Sequence, residues 1–74
     1  MRFDLTKEEV RLLQAKGIPF AETHEYTDDE ALDLLEQVRD VEVSYAQFAG
    51  GVGESLFFRY GDLADKIQAQ IPED

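Results

Sequence analysis

The sequence predicts a compact all-α domain of three helices. Helix-start signals stand at two places in the chain, and the apolar residues that follow repeat at intervals of three and four. The length agrees with one domain over residues 1–74, because a chain of this size buries only about 60% of the surface that its unfolded form exposes. We expect helices at about residues 6–16, 28–49 and 55–70.

A capping box marks the start of the first helix. Thr6 can accept a hydrogen bond from an amide of the first turn, and Glu9 can accept one from the Thr6 amide. Gly17 supplies the left-handed residue that commonly ends a helix, and Pro19 follows closely. These signals predict a helix over residues 6–16, followed by a loop that packs on the core.

The second helix begins with the same pattern at Thr27 and Glu30. Its apolar residues hold one stripe without a phase break. They are Ala31, Leu34, Leu35, Val38, Val41, Tyr45 and Phe48. We expect this helix to cover residues 28–49 and to end at Gly50 and Gly51.

Apolar residues at helical spacing also predict the third helix, which covers residues 55–70 and ends before Pro72. An alternative exists for the middle of the chain, because residues 41–45 and 56–60 also alternate between the two faces of a possible strand. That alternative has two helices, a β-hairpin at about residues 41–60, and a C-terminal helix. The unbroken stripe of the second helix favours the all-α fold.

Charge and residue types exclude several classes of function. The chain has 17 acidic and 7 basic residues, a net charge of −10, so phosphate backbones and anionic membrane surfaces repel it. It has no Cys and one His, which excludes a disulfide framework and a zinc site with four Cys or His ligands. We expect a cytoplasmic protein with no cofactor, no metal, no membrane contact and no direct nucleic-acid binding.

Catalytic motifs fail on their spacing. The glycines of residues 50–53 fit neither a P-loop nor a dinucleotide-binding fingerprint. Ser55 follows Gly53 as in a nucleophile elbow, but Phe57 stands where the second glycine belongs. We therefore expect a protein that is not an enzyme. The alternative is a minor metal-dependent or hydrolytic activity around His24 and Ser55.

An acidic stripe on the second helix is the first candidate site. Its four carboxylates recur at intervals of four, three and four on the side away from the apolar stripe: Asp29, Asp33, Glu36 and Asp40. Residues 27–48 carry seven acids and one Arg, whereas residues 6–16 carry two acids and three bases. The stripe indicates a module that binds a basic protein. The alternatives are a solvated face that keeps a small protein soluble, and a nucleic-acid mimic that inhibits a basic DNA-binding protein.

Two adjacent aromatic residues of the third helix are the second candidate site. If Leu56 and Tyr60 face the core, Phe57 and Phe58 cannot both do so. We expect one of them either to be exposed at an interface with a partner or to pack under the turn predicted at residues 50–53.

Three short segments resemble small acidic helical proteins of unknown function encoded by bacterial mobile elements. They are Gly17-Ile18-Pro19-Phe20, Tyr45-Ala46-Gln47 and Leu63-Ala64-Asp65-Lys66-Ile67. The resemblance implies a small helical bacterial protein. It implies no activity and no catalytic residue.

Overall fold

Three helices make up the computed structural model, which describes residues 1–47 and 51–72. α1 spans Lys7–Ala15, α2 spans Asp28–Ala46 and α3 spans Gly51–Gln70. The described residues form a compact all-α domain without strands, as the sequence predicts. None of these helices combines the length and the apolar character needed to cross a membrane.

Both predicted capping boxes are present. The Thr6 hydroxyl accepts a hydrogen bond from the Glu9 amide at 3.2 Å, and the Glu9 carboxylate accepts one from the Thr6 amide at 2.8 Å. Thr27 and Glu30 form the same pair of bonds at the start of α2. Gly17 follows α1 with a φ of +68°, the left-handed conformation that favours glycine. The ends of α1 therefore lie within one residue of the prediction.

The predicted boundaries between the second and third helices were wrong. α2 ends at Ala46 with Gln47 as its C-cap, so a helix continuing to residue 49 was too long. Residues 48–50, including Phe48 and the predicted stop at Gly50, lie outside the described residues.

The start of α3 corrects the prediction of a glycine turn. α3 begins at Gly51 rather than at residue 55, so residues 51–53 belong to its first turn. Glycine costs a helix interior about 1 kcal/mol, but it does not forbid helical backbone. Glu54 also lies in this first turn, where the helix dipole favours negative charge.

The β-hairpin alternative for residues 41–60 is also wrong. Residues 41–46 and 51–60 are helical. The rings of Tyr45 and Tyr60 stack across the two helices, with their centroids 5.7 Å apart and their planes 13° apart. Helical spacing places each ring on the side of its helix that faces the core, where the two rings meet.

The core draws on all three helices and on the segments between them. Its buried residues are Phe3, Leu5, Leu13, Ile18, Ala31, Leu34, Val38, Tyr60, Leu63, Ala64 and Ile67. α2 and α3 run antiparallel: the Glu42 side chain faces Gly61, and Arg39, nearer the start of α2, reaches Asp65, which is nearer the end of α3. Most of the outer side of α2 is consequently left to solvent.

Candidate functional site: the acidic surface of α2

The acidic stripe lies on the side of α2 opposite the core. Asp29, Asp33, Glu36 and Asp40 are all exposed, whereas Ala31, Leu34 and Val38 of the same helix are buried. The stripe covers 12 residues of helix, and its first and last residues are about 16 Å apart along the axis. The structure therefore brings the four predicted carboxylates together on one open surface.

No cation neutralises the acidic stripe within the part of the chain that the structure describes. None of the six ion pairs found there involves a carboxylate of the stripe. Arg39 is the one basic residue of α2, and its side chain turns away from the stripe. Asp29 lies in the first turn, where the helix dipole favours negative charge. Like charges at this spacing destabilise a helix by a few tenths of a kcal/mol each, so helix stability does not account for the other three carboxylates.

Arg39 instead connects α2 to α3. Its guanidinium donates hydrogen bonds to Glu42 at 2.9 Å, to Asp65 at 3.0 Å and to Gln68 at 2.8 Å. The hydrogen bonds with Glu42 and Asp65 raise the pKa of Arg39 above its ordinary value, more than burial lowers it. The charge of Arg39 is thus committed to the contact between the two helices.

The two candidate phenylalanines lie apart from the acidic stripe, on α3. Phe58 is exposed and Phe57 is half-buried, and their rings meet edge to face at 5.6 Å. The expectation that they cannot both face the core is confirmed. Because residues 51–53 are helical, the predicted glycine turn is not there to cover them.

Sequence reasoning missed two exposed apolar residues of α2, Leu32 and Val43. The signal for them was present, because neither residue belongs to the apolar stripe that begins at Ala31. An apolar residue outside the stripe of an amphipathic helix has no core position to fill. Their exposure adds apolar contacts to a helix surface that is otherwise acidic.

The structure does not bring His24 and Ser55 together. His24 lies in the loop before α2, where its Nε2 is 3.0 Å from the Glu30 carboxylate. Ser55 lies near the start of α3, which follows the end of α2. The length of α2, about 28 Å, therefore separates His24 from Ser55. The hydrogen bond from the Thr27 amide and the contact with His24 lower the pKa of Glu30. The contact of His24 is therefore with Glu30, a residue of the capping box of α2.

The residues that the structure describes contain no group of three or more His, Cys, Asp or Glu side chains placed to hold a metal ion. Sequence and structure were also compared with known proteins. No family model matches the chain, and neither the curated proteins nor the solved structures give a significant match.

Proposed function

We propose that this protein is a non-enzymatic interaction module that binds a positively charged protein through the acidic stripe of α2. The observation that carries the proposal is the exposure of four carboxylates with no neutralising cation among the described residues. The ion pairs formed by the described residues are local or connect elements of the fold, and none of them involves the stripe. Of the acidic residues of α2, Glu30 and Glu42 form ion pairs, whereas Asp28 and the four carboxylates of the stripe do not.

Electrostatics supports a basic protein as the partner. With a net charge of −10, the chain is attracted to cationic surfaces and repelled by nucleic acid and by anionic lipid. Complementary charge raises the rate of association and suppresses wrong partners, and salt weakens it over about 8–10 Å. A stripe of exposed carboxylates along one side of a helix suits this role.

The spacing of the stripe favours a general basic partner over a DNA-binding one. Four charges over about 16 Å amount to one charge per roughly 5 Å of axis. One strand of B-DNA carries a charge about every 3.4 Å of axis, and the duplex carries twice as many. The stripe is therefore a sparse imitation of a phosphate backbone.

A charge-matched pair of variants tests the proposal. The first carries Asp29→Asn, Asp33→Asn, Glu36→Gln and Asp40→Asn. The control carries Asp4→Asn, Glu8→Gln, Glu22→Gln and Glu25→Gln, all exposed and all outside α2. Each variant loses four of ten net negative charges, which leaves −6. The two variants lose the same charge at different positions, and the control also loses the long, exposed ion pairs of Glu8 with Arg59 and of Glu25 with Arg2.

The measurement is affinity capture from a native lysate, followed by titration of the purified captured protein at several salt concentrations. We expect the stripe variant to bind at least about tenfold more weakly. Its binding should also depend less on salt, because salt screens the attraction between the exposed carboxylates and a basic partner. The control should bind almost as the parent does. Circular dichroism checks that both variants keep their helix content. If the two variants bind equally well, the stripe is only a solvated face and the proposal is wrong.

A further inference from the structure

Three large apolar side chains are exposed among the residues that the structure describes. Leu32 and Val43 of α2 are 53% and 61% exposed, and Phe58 of α3 is 58% exposed. Single exposed apolar residues are ordinary on protein surfaces, whereas a cluster of them indicates an interaction site. The relative placement of these three side chains therefore decides whether they indicate an interaction site.

On α2, both exposed residues share a side with Arg39. Val43 follows Arg39 by four residues and Leu32 precedes it by seven, spacings that align side chains along one side of a helix. Arg39 itself reaches across to Asp65 of α3. Leu32 and Val43 consequently border the line along which α2 meets α3.

Phe58 borders the same line from α3. It precedes Asp65 by seven residues, so these two side chains lie on one side of their helix. Because α2 and α3 are antiparallel, Phe58 and Val43 lie toward the same end of the line. All three exposed apolar side chains thus belong to one surface of the molecule.

A surface groove marks the other end of this line. Leu32 and Leu35 of α2 line it together with Gln68, Ile71 and Pro72 at the end of α3. We use the term seam face for the surface formed by Leu32, Leu35, Val43, Phe58, Ile71 and Pro72. From Leu32 to Val43 it extends over 12 residues of α2, or about 16 Å, which is three helical turns.

Negative charge borders the seam face on both helices. On α2, Asp28 and Glu36 lie one turn before and one turn after Leu32. On α3, Asp62 lies one turn after Phe58. All three carboxylates are exposed.

The cations of α3 do not offset this charge. Lys66 is 2.7 Å from Glu9 of α1, and Arg59 is 4.0 Å from Glu8 of α1. These contacts turn both cations toward α1 and away from the seam face. A second copy of the chain would bring a further net charge of −10 to an acidic surface, so charge disfavours self-association there.

We propose that the seam face binds one amphipathic helix of a basic partner protein. The partner's apolar side chains fill the groove at Leu32 and contact Val43 and Phe58, on either side of the Arg39–Asp65 ion pair that bridges α2 and α3. Its flanking Lys and Arg side chains face Asp28 and Glu36 on one side and Asp62 on the other. This is the helix-in-groove mode of recognition, and a helix of at least three turns covers the surface. The inference rests on the proposed function and adds the place and shape of the contact.

A pair of synthetic peptides tests the inference on the full chain. The probe is a helix of about 18 residues with Leu at positions i, i+3, i+4 and i+7 and Lys elsewhere. The control peptide has the same composition in shuffled order, so it keeps the charge and loses the apolar face. Amide chemical shifts in nuclear magnetic resonance titrations report the affinity and the contact surface. We expect the probe to bind at least about tenfold more tightly than the shuffled peptide, with the largest shifts around Leu32, Val43, Phe58 and Ile71.

A second comparison uses protein variants. Leu32→Ser with Phe58→Ser removes two exposed apolar anchors, and circular dichroism should show an unchanged helix content. The matched control is Ala15→Ser with Ala21→Ser, at exposed positions away from α2 and α3. We expect the first variant to bind the amphipathic peptide about tenfold more weakly and the control to bind it as the parent does.

Two outcomes would overturn the inference. If the shuffled peptide binds as well as the probe, the surface attracts positive charge without recognising a helix, and the proposed function survives alone. If neither peptide shifts the resonances of the seam face, this surface docks no such helix. The proposed function is then decided separately, by the captured protein and the charge-matched variants.

Discussion

The side of α3 toward α1 and the solvent edge of its contact with α2 differ in how fully their polar and charged groups are paired. Two adjacent residues show the difference. Tyr60 is almost fully buried and donates a hydrogen bond to the Leu12 carbonyl of α1 at 2.7 Å, whereas Gly61 faces the Glu42 side chain of α2.

The charged neighbours Lys66 and Asp65 repeat this difference. Lys66 forms a short ion pair with Glu9 of α1, one of the less exposed carboxylates. Asp65 is largely exposed and shares Arg39 with Glu42. We call the side toward α1 closed, because both cations of α3 meet a carboxylate of α1 there. The contact with α2 is the most extensive contact between helices among the described residues. Its solvent edge, which we call the open side, carries exposed apolar residues and surplus negative charge, and it is there that we place the function.

Deleting a side chain from the closed side should have the largest effect on stability. Leu13 of α1 is fully buried, so Leu13→Ala should lower the free energy of unfolding by about 2–5 kcal/mol. The matched variant Leu32→Ala, on the open side, should change it by less than about 0.5 kcal/mol. Urea unfolding followed by circular dichroism measures both. Equal losses would contradict the difference between the two sides.

Removing one hydroxyl should have the next largest effect. The Lys16 amide donates to the Leu13 carbonyl at 3.1 Å, which leaves the Leu12 carbonyl to the Tyr60 hydroxyl. Tyr60→Phe should therefore lower the free energy of unfolding by about 1–2 kcal/mol. Tyr45→Phe keeps the ring that lies under the Lys16 ammonium and is the control, with an expected change below about 0.5 kcal/mol. A Tyr60→Phe variant as stable as its control would show that this hydrogen bond does not fasten α1.

A substitution on the open side should stabilise the protein. A Cβ at Gly61 would lie 3.0 Å from Glu42 Oε2, so the end of the Glu42 side chain has to shift by a few tenths of an ångström while its other oxygen keeps the hydrogen bond from Arg39. Gly61→Ala should then raise the free energy of unfolding by about 0.5–1 kcal/mol, because alanine favours helix. Gly17→Ala should act in the opposite direction, since Gly17 has a φ of +68°. Thermal unfolding of both variants tests the opposite signs.

The smallest expected effect is a pH dependence at the closed side. Burial opposes ionisation of Glu9, but hydrogen bonds from Lys66 and Thr6 outweigh it and lower the pKa of Glu9 below its ordinary 4.5. Its contribution to stability is complete above pH 4.5 and is lost as the pH falls through the lower pKa of the folded state, because the unfolded state takes up the proton first.

Glu9→Gln isolates this contribution. Glutamine keeps the capping box with Thr6 but loses the ionic contact with Lys66. Urea unfolding between about pH 6 and pH 3 should show a shallower loss of stability for Glu9→Gln, and also for Lys66→Met, than for the parent. Parallel pH profiles for all three proteins would show that this ion pair contributes nothing.

The sequence predicted the helices where its signals were local. Thr6 and Thr27 each stand three residues before a Glu, and this spacing alone specifies a capping box. The glycines at residues 50–53 carry no such signal, because glycine suits a turn, a helix end or a helix start. The boundary between α2 and α3 was consequently the part of the fold that sequence reasoning placed wrongly.

For the candidate site, the positions of the four carboxylates followed from the helical period. Their lack of a neutralising cation among the described residues did not. It depends on Arg39 turning toward Asp65, which is 26 residues away along the chain. The surface that Leu32 and Phe58 share also depends on the antiparallel contact of two helices, which no spacing within one helix specifies.

The amino-acid sequence by itself determined an acidic three-helix chain, the starts of α1 and α2, and the exposed acidic stripe of α2, because capping and amphipathic spacing act within a few residues. Only the tertiary structure decided that Leu34 is buried, whereas Leu35, the next residue of the apolar stripe, is half-buried beside the groove. It also decided that the Tyr60 hydroxyl donates a hydrogen bond to the Leu12 carbonyl of α1, and that the Arg39 guanidinium binds Asp65 of α3. The physical reason is that burial and pairing across helices depend on how the helices are placed against one another, and this placement is set by the packing of the whole core.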